Sequence, residues 1–236
     1  MTALRDIPTA ALVGLTALAF SALYLVSDVI EALQGGFSGG QLGLTLIAEA
    51  AIPVFVIGLY LVQRPHIGRL GRLSAAAYAY SYVFFTGTVV YALVDGTSDY
   101  AALSHDLQPW MTIHGAVMVL AGLGFGVAVI RAKVLPRWTG MALMAGVVLV
   151  SLSQTLPEGP QVLAAAIRDL GFAGMGAALL GAHAVSGHRP AAYPVATSLI
   201  ARSPQDGPVS GTVPAETAST PALVARGRHR TSGGAA

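Results

Sequence analysis

Apolar residues in this chain form long continuous blocks that are separated by short polar segments. A helix needs about 20 mostly apolar residues to cross the hydrocarbon core of a bilayer, and six blocks reach that length. The blocks lack the alternation of barrel strands, and they are rich in the small residues of closely packed membrane helices. The pattern predicts an all-α polytopic membrane bundle with six transmembrane helices, at residues 8–27, 42–63, 73–94, 110–130, 138–157 and 162–186.

The pattern changes after the sixth block, where Pro, Ala, Ser, Thr and Gly dominate and no sustained apolar period remains. A segment of this composition cannot bury enough apolar surface to fold by itself. We therefore divide the chain into a six-helix transmembrane domain at 1–187 and a disordered cytoplasmic tail at 188–236. The tail is a candidate binding segment for a cytoplasmic protein partner.

The composition agrees with residence in a membrane. Charged residues make up 10% of the chain and hydrophobic residues 54%, whereas soluble domains carry about 25% charged residues. This balance excludes a soluble globular enzyme. The absence of cysteine from the sequence excludes disulfides, thiolate metal sites and cysteine nucleophiles. Nucleic-acid binding is also excluded, because the basic residues are scattered between apolar blocks and form no patch.

The connections between the predicted helices alternate in charge. Apart from Arg168, every Lys and Arg lies before the first helix, in the second or fourth connection, or after the sixth helix. The other three connections carry only acidic charges, at Asp28, Glu31, Asp95, Asp99, Asp106 and Glu158. Basic connections stay in the cytoplasm, so the sequence predicts a multi-pass protein of the cell (plasma) membrane with both termini cytoplasmic.

Four ionisable residues fall inside the predicted spans: Glu49, His114, Arg168 and Asp169. Charge is costly in a bilayer, so each of them is a candidate functional residue. From the rise of a helix, Glu49 lies about 10 Å, Arg168 about 9 Å and His114 about 6 Å from the outer edge. These groups therefore lie in the outer half of a hydrocarbon core that is about 30 Å thick.

Helical spacing places further polar residues on the same faces. Gln41 and Thr45 precede Glu49 at intervals of four, and Tyr24 and Asp28 precede Glu31 at similar intervals, so each set shares one helix face. We assign Glu49, Asp169 and His114 as candidate acid–base catalytic groups. The candidate substrate-binding residues are Arg168, Glu31, Gln154, Tyr82 and Phe85.

No metal or cofactor is predicted. The sequence lacks an aspartate-rich metal motif, so metal-dependent diphosphate chemistry has no ligands. A haem held by two histidines is disfavoured, because His114 and His183 fall in opposite halves of the predicted membrane domain. The expected partners are membrane lipid, an apolar small molecule and a cytoplasmic protein that binds the tail.

The fourth and fifth predicted helices are joined by the turn Val134–Gly140, which reads Val-Leu-Pro-Arg-Trp-Thr-Gly. With this turn, the region from Trp110 to Gly181 resembles small bacterial multi-pass membrane proteins of an actinobacterial type, a largely uncharacterised class. The resemblance implies a six-helix bundle and no defined reaction. The abundance of Ala, Gly, Val and Arg is typical of a bacterium with a high GC content.

Three functions are compatible with the sequence. In the first, the protein is accessory or structural, and its buried charges are packing pairs. In the second, it is a membrane-embedded acid–base enzyme or binder for an isoprenoid- or lipid-like molecule. Small membrane terpene cyclases are similar in length and in their buried carboxylates, although no motif matches. In the third, it is a small proton-coupled transporter that uses Glu49 and His114 as relay groups. Whether the protein catalyses a reaction stays open at this point.

Overall fold

The apolar blocks form α-helices in the computed structural model, which describes residues 9–187. Five helices are long and apolar enough to cross a membrane, and no strand occurs in the described part of the chain, so the predicted all-α class is confirmed. The helices are α1 (Thr9–Gln34), α2 (Gly39–Val62), α3 (Gly68–Asp95), α4 (Tyr100–Asp106), α5 (Trp110–Ala132), α6 (Arg137–Ser153) and α7 (Glu158–Gly187).

The helix bounds differ from the predicted spans at several ends. α1 continues to Gln34, beyond the predicted end at 27, so Asp28 and Glu31 lie in the helix and not in a connection. α6 has 17 residues and ends at Ser153, where the backbone N–H of Leu156 donates to the Ser153 carbonyl in a turn. By length and composition, five helices could span a membrane, and the sixth predicted span corresponds to a shorter apolar helix. The short helix α4 occupies a connection that the sequence pattern left without structure. The predicted disordered tail at 188–236 lies outside the described residues.

Six of the helices pack in a closed ring in the order α1, α2, α3, α5, α6, α7, and α7 returns to α1. We call this arrangement the helix ring. Consecutive members are joined by short connections and run in opposite directions. At one end of the helix ring lie Asp28, Glu31 and α4, and we call it the acidic end. The connections that begin at Arg64 and Lys133 lie at the other end, which we call the basic end.

Aromatic side chains fill the centre of the helix ring. The ring of Phe172 on α7 lies edge-on to Phe55 of α2, with centroids 5.3 Å apart, and 5.7 Å from the ring of Tyr78 on α3. Neither α2 nor α3 is a neighbour of α7 in the helix ring, so these contacts cross the interior. The remaining core toward the basic end is largely apolar and includes Phe125 and Leu143.

Glycines allow two pairs of helices to approach closely. A Cβ atom on Gly14 of α1 would lie 2.8 Å from the carbonyl oxygen of Gly176 on α7, and the reverse distance is 2.5 Å. Gly126 of α5 and Gly140 of α6 form a second pair. A Cβ atom on either glycine would lie 2.7 Å from the carbonyl oxygen of the other. Small residues at such crossings let membrane helices pack through their backbones.

The helix α4 closes part of the acidic end. Its Leu103 packs into a small cluster with Leu42 of α2 and Val89 of α3. Asp99 caps α4, since its Oδ1 accepts from the Ala102 backbone N–H at 2.9 Å. That hydrogen bond, with a second one donated by the Ser98 hydroxyl, lowers the pKa of Asp99 below its usual value. The cap is one reason why this connection is helical.

Candidate functional site

Three helices bring a cluster of polar side chains together near the acidic end of the helix ring. α1 contributes one face with Tyr24 and Asp28, α2 contributes Glu49, and α7 contributes Arg168 and Asp169. We call these five residues the Arg168 cluster. It contains three of the four ionisable residues that fall inside the predicted spans. The fourth, His114, lies elsewhere.

Arg168 is the cation of the cluster and is 4% exposed. Its Nε donates to Asp169 Oδ1 at 2.9 Å, and its Nη2 lies 3.8 Å from Asp28 Oδ2. The guanidinium carbon also lies 4.6 Å from the centroid of the Tyr24 ring, within the range of a cation–π contact. One guanidinium therefore holds α7 to α1 and also binds its own neighbour in sequence.

Tyr24 contacts both Glu49 and Arg168 and so connects these two residues. The Tyr24 hydroxyl donates to Glu49 Oε1 at 2.6 Å, while the ring of the same tyrosine stacks on Arg168. Glu49 and Arg168 form no direct ion pair, although both are buried charges that could pair across the helices. Tyr24 couples the two groups instead, and the ion-pair partners of Arg168 are Asp28 and Asp169.

Several polar atoms of the Arg168 cluster have no hydrogen-bond partner. Among the described residues, nothing hydrogen-bonds to Glu49 Oε2, Asp169 Oδ2 or Arg168 Nη2, although all three atoms are buried. The cluster also contains three carboxyl groups, including that of Asp28, and a single guanidinium. Buried polar groups in proteins are nearly always hydrogen-bonded, and buried charges are nearly always paired. The cluster therefore contains a hydrogen-bond donor on Arg168 and carboxyl acceptors on Glu49 and Asp169 that remain available inside the protein.

α6 supports the cluster through a glycine. A Cβ atom on Gly146 would collide with the backbone N, the Cα and the Cβ of Arg168. The backbone of α7 thus lies directly against α6 at the residue that carries the guanidinium. No pattern in the sequence marked Gly146 as part of the site, because its role depends on which residue faces it.

Glu31 joins a different polar network, closer to the acidic end. The Gln41 side-chain amide donates to Glu31 Oε2 at 3.1 Å and to Thr45 Oγ1 at 3.0 Å. The hydroxyls of Ser27 and Thr45 lie 2.6 Å apart. The polar faces that the sequence predicted on α1 and α2 thus face each other. The hydrogen bond between Tyr24 and Glu49 lies farther from the acidic end than this network.

His114 lies apart from the Arg168 cluster, between α3 and α5. Its Nδ1 is 2.9 Å from the Trp110 carbonyl oxygen, and its Nε2 is 3.1 Å from the Tyr80 hydroxyl. The ring stacks on Phe84 with centroids 3.7 Å apart. Both ring nitrogens and one ring face therefore have partners that do not belong to the cluster.

The other predicted binding residues differ in their surroundings. Tyr82 is buried, with its ring 5.1 Å from that of Tyr78 and 6.1 Å from that of Phe85. It borders the Arg168 cluster, close enough to interact electrostatically with Arg168. Gln154 is exposed and donates to the Val150 carbonyl of its own helix. Of the residues assigned from the sequence, Glu49, Arg168 and Asp169 come together. Tyr24 and Asp28 complete the cluster, and their spacing on α1 was the signal that could have included them.

An apolar groove of about 340 Å³ lies at the acidic end, lined by Val29, Ala32 and Leu33 of α1 and by Gly159 and Val162 of α7. Ala32 follows Asp28 by one turn, and Val162 precedes Asp169 by two turns, so each pair shares a helix face. The groove therefore runs along the same two faces that carry charged members of the Arg168 cluster.

Residues 9–187 contain no group of three His, Asp or Glu side chains arranged to hold a metal ion. Comparison of the chain with protein-family models, with curated proteins and with solved structures found no match. The function of the protein must therefore be inferred from the geometry of this chain alone.

Proposed function

We propose that the chain is a six-span protein of a bacterial cell membrane, with both termini and the tail in the cytoplasm. The support for a sixth span is that α6 occupies a full place in the helix ring, between α5 and α7. Its 17 residues extend about 25 Å, close to the thickness of a hydrocarbon core. The segregation of basic and acidic connections to opposite ends supports the orientation.

Cysteine labelling tests this topology cleanly, because the chain has no cysteine of its own. We expect Ser104→Cys in α4 to react with an impermeant maleimide added outside intact cells. Val134→Cys, in the connection after α5, is expected to react only after the cells are opened, and Thr155→Cys, after α6, is expected to react from outside. Labelling of Ser104→Cys only from the cytoplasm would refute the orientation, and labelling of Val134→Cys and Thr155→Cys from the same side would refute the sixth span.

We propose further that the Arg168 cluster binds the polar head of a lipid-like molecule, and that a hydroxyl is the head group that fits best. The observation that carries this proposal is the set of buried atoms on Glu49, Asp169 and Arg168 that have no hydrogen-bond partner. A hydroxyl group donates one hydrogen bond and accepts others. It can therefore donate to a free carboxyl oxygen and accept from Arg168 Nη2, which completes both sides of the cluster.

The charge of the cluster selects against an acidic head group. Three carboxyl groups already surround one guanidinium, so a further carboxylate would add like charge to a buried site. The groove between α1 and α7 supplies apolar walls for a hydrocarbon chain beside the charged groups. Any acid–base reaction on such a molecule would use Glu49 or Asp169, since these carboxyl groups have a free oxygen.

Photolabelling with two matched probes tests this function. The probes are a long-chain alcohol and the fatty acid of the same chain length, each with a diazirine, added to the full-length protein in phosphatidylcholine nanodiscs. We expect the alcohol to label peptides from both walls of the groove, around Ala32 and Val162. The fatty acid is expected to label them about tenfold less, the factor that one hydrogen bond to a charged group provides.

Isosteric variants make the test specific. Glu49→Gln and Asp169→Asn are expected to weaken labelling by the alcohol, whereas Thr139→Val, a buried isosteric change near the other end of α6, leaves it unchanged. Unlabelled alcohol should compete with the probe in the wild-type protein, which keeps the test informative if a variant does not fold. Equal labelling by both probes, or labelling spread over all lipid-facing helices, would exclude the proposed site.

The second candidate is an accessory membrane protein whose Arg168 cluster only fixes helix packing and whose tail binds a cytoplasmic protein. The aromatic filling of the ring centre favours it, because Phe55, Tyr78 and Phe172 leave the interior packed. This function predicts that Glu49→Gln and Asp169→Asn change thermal stability and nothing else. A proton-coupled transporter is the third candidate, and pH-driven flux in vesicles would distinguish it from both.

A further inference from the structure

The turn between α2 and α3 forms a basic cavity at the basic end of the helix ring. The cavity has a volume of about 190 Å³. Its lining consists of Tyr60, Arg64, Pro65, Ile67, Gly68, Arg69 and Arg72. We call this set the basic turn. Three arginines from one short stretch thus border one small cavity. Orientation in a membrane requires basic residues in a connection, but it does not require them to line the same cavity.

The arginines of the basic turn are available to a ligand. Arg64, Arg69 and Arg72 are exposed, and none of them forms a salt bridge with a residue that the structure describes. The guanidinium carbon of Arg64 lies 6.0 Å from the centroid of the Tyr60 ring, at the limit of a cation–π contact. Guanidinium groups bind phosphate oxygens in pairs through their planar forks, so this arrangement suits an oxyanion.

The N-terminus of α3 lies at the same cavity, since Gly68 and Arg69 belong to its lining. The residue before the helix, Ile67, provides no side-chain hydrogen bond to cap it. The helix begins at Gly68, which has a φ of +67° and also lines the cavity. The first backbone N–H groups of a helix have no partner within it, and they favour a bound anion.

The surroundings of the cavity indicate a lipid as the source of that anion. Both α2 and α3 are long enough to cross a membrane, so the turn between them lies at the level of lipid head groups. Leu61, Leu70 and Leu73 are exposed beside the turn and can contact acyl chains. Basic pockets at the ends of membrane helices are recognised sites for anionic lipid head groups.

We propose that the basic turn binds the phosphate of an anionic phospholipid. The arginines and the first N–H groups of α3 hold the phosphate, and the exposed leucines contact the acyl chains. This site lies at the opposite end of the helix ring from the Arg168 cluster and does not depend on the function proposed for it.

Binding of labelled dioleoylphosphatidylglycerol to the full-length protein in a neutral detergent tests this proposal, with dioleoylphosphatidylcholine as the uncharged comparison. We expect phosphatidylglycerol to bind more tightly. The variant Arg64→Gln/Arg69→Gln is expected to raise its Kd by about 25-fold, or about fivefold for each arginine. Soluble glycerol phosphate should compete only weakly, because it lacks acyl chains.

The other basic connection provides a control of matched charge. Arg131→Gln/Arg137→Gln removes the same number of arginines from the turn between α5 and α6 and is expected to leave the Kd almost unchanged. Equal losses in the two double variants would show general charge attraction and overturn the proposal. Equal binding of glycerol phosphate and of the lipid would overturn the lipid as the ligand. Matching melting temperatures for all variants establish that each is folded.

Discussion

Replacing Arg168 by methionine should lower the free energy of unfolding by about 3–5 kcal/mol, the usual cost of removing one partner from a buried ion pair. The guanidinium is the only positive charge in the Arg168 cluster, and it contacts Asp28, Asp169 and the Tyr24 ring. Methionine retains most of the apolar volume but leaves the buried carboxyl of Asp169 and the partly buried carboxyl of Asp28 without a cation. The loss is therefore electrostatic more than steric.

Neutralising the two carboxyl groups that lose their cation should restore part of the lost free energy of unfolding. We expect Arg168→Met/Asp28→Asn/Asp169→Asn to be more stable than Arg168→Met alone, because amides are neutral and cost less to bury. Unfolding by titration with a denaturing detergent measures the difference for the two proteins and the wild type. A triple variant that is less stable than the single variant would show that Arg168 acts through packing and not through charge.

Gly146→Ala should be the second most disruptive change, with a loss of about 1–3 kcal/mol from overpacking. The added methyl group would meet the backbone of α7 at Arg168, and backbone atoms cannot move aside as a flexible side chain can. α7 must then shift away from α6, and the guanidinium moves with it. The variant should therefore weaken binding at the Arg168 cluster as well as stability.

Gly181→Ala is the matched control for this prediction. It adds the same methyl group to a helical glycine of α7 that has no atom within 4 Å of the new position. Alanine is the better helix former, so this variant should keep or slightly raise the stability of the protein. Melting temperatures and alcohol photolabelling of the two variants provide the comparison, and equal effects would contradict a specific contact at Gly146.

Much of the fold could be predicted from hydrophobic periodicity, since long apolar blocks in a bilayer have few alternatives to helices. The ends of the helices were less predictable. α6 ends at Ser153 and not at the predicted residue 157, because the chain enters a turn between Ser153 and Leu156 that the apolar pattern does not reveal. The capped helix α4 was missed since it is short and mostly exposed.

The composition of the site could be predicted only in part. Glu49, Arg168 and Asp169 were identified by their cost in a membrane, and that cost does not depend on the neighbours of a residue. Their partners do depend on neighbours. His114 has the same cost but lies between α3 and α5, where Tyr80 and Trp110 satisfy both ring nitrogens.

The sequence by itself determined the helical class, the membrane setting and the short set of residues whose charge demands an explanation. These follow from solvation, which acts on each residue separately. Only the tertiary structure decided that Tyr24 links Glu49 to Arg168, that Gly146 contacts the same arginine, and that the six helices close into a ring. Such contacts depend on how helices rotate and cross, which small residues permit but do not specify.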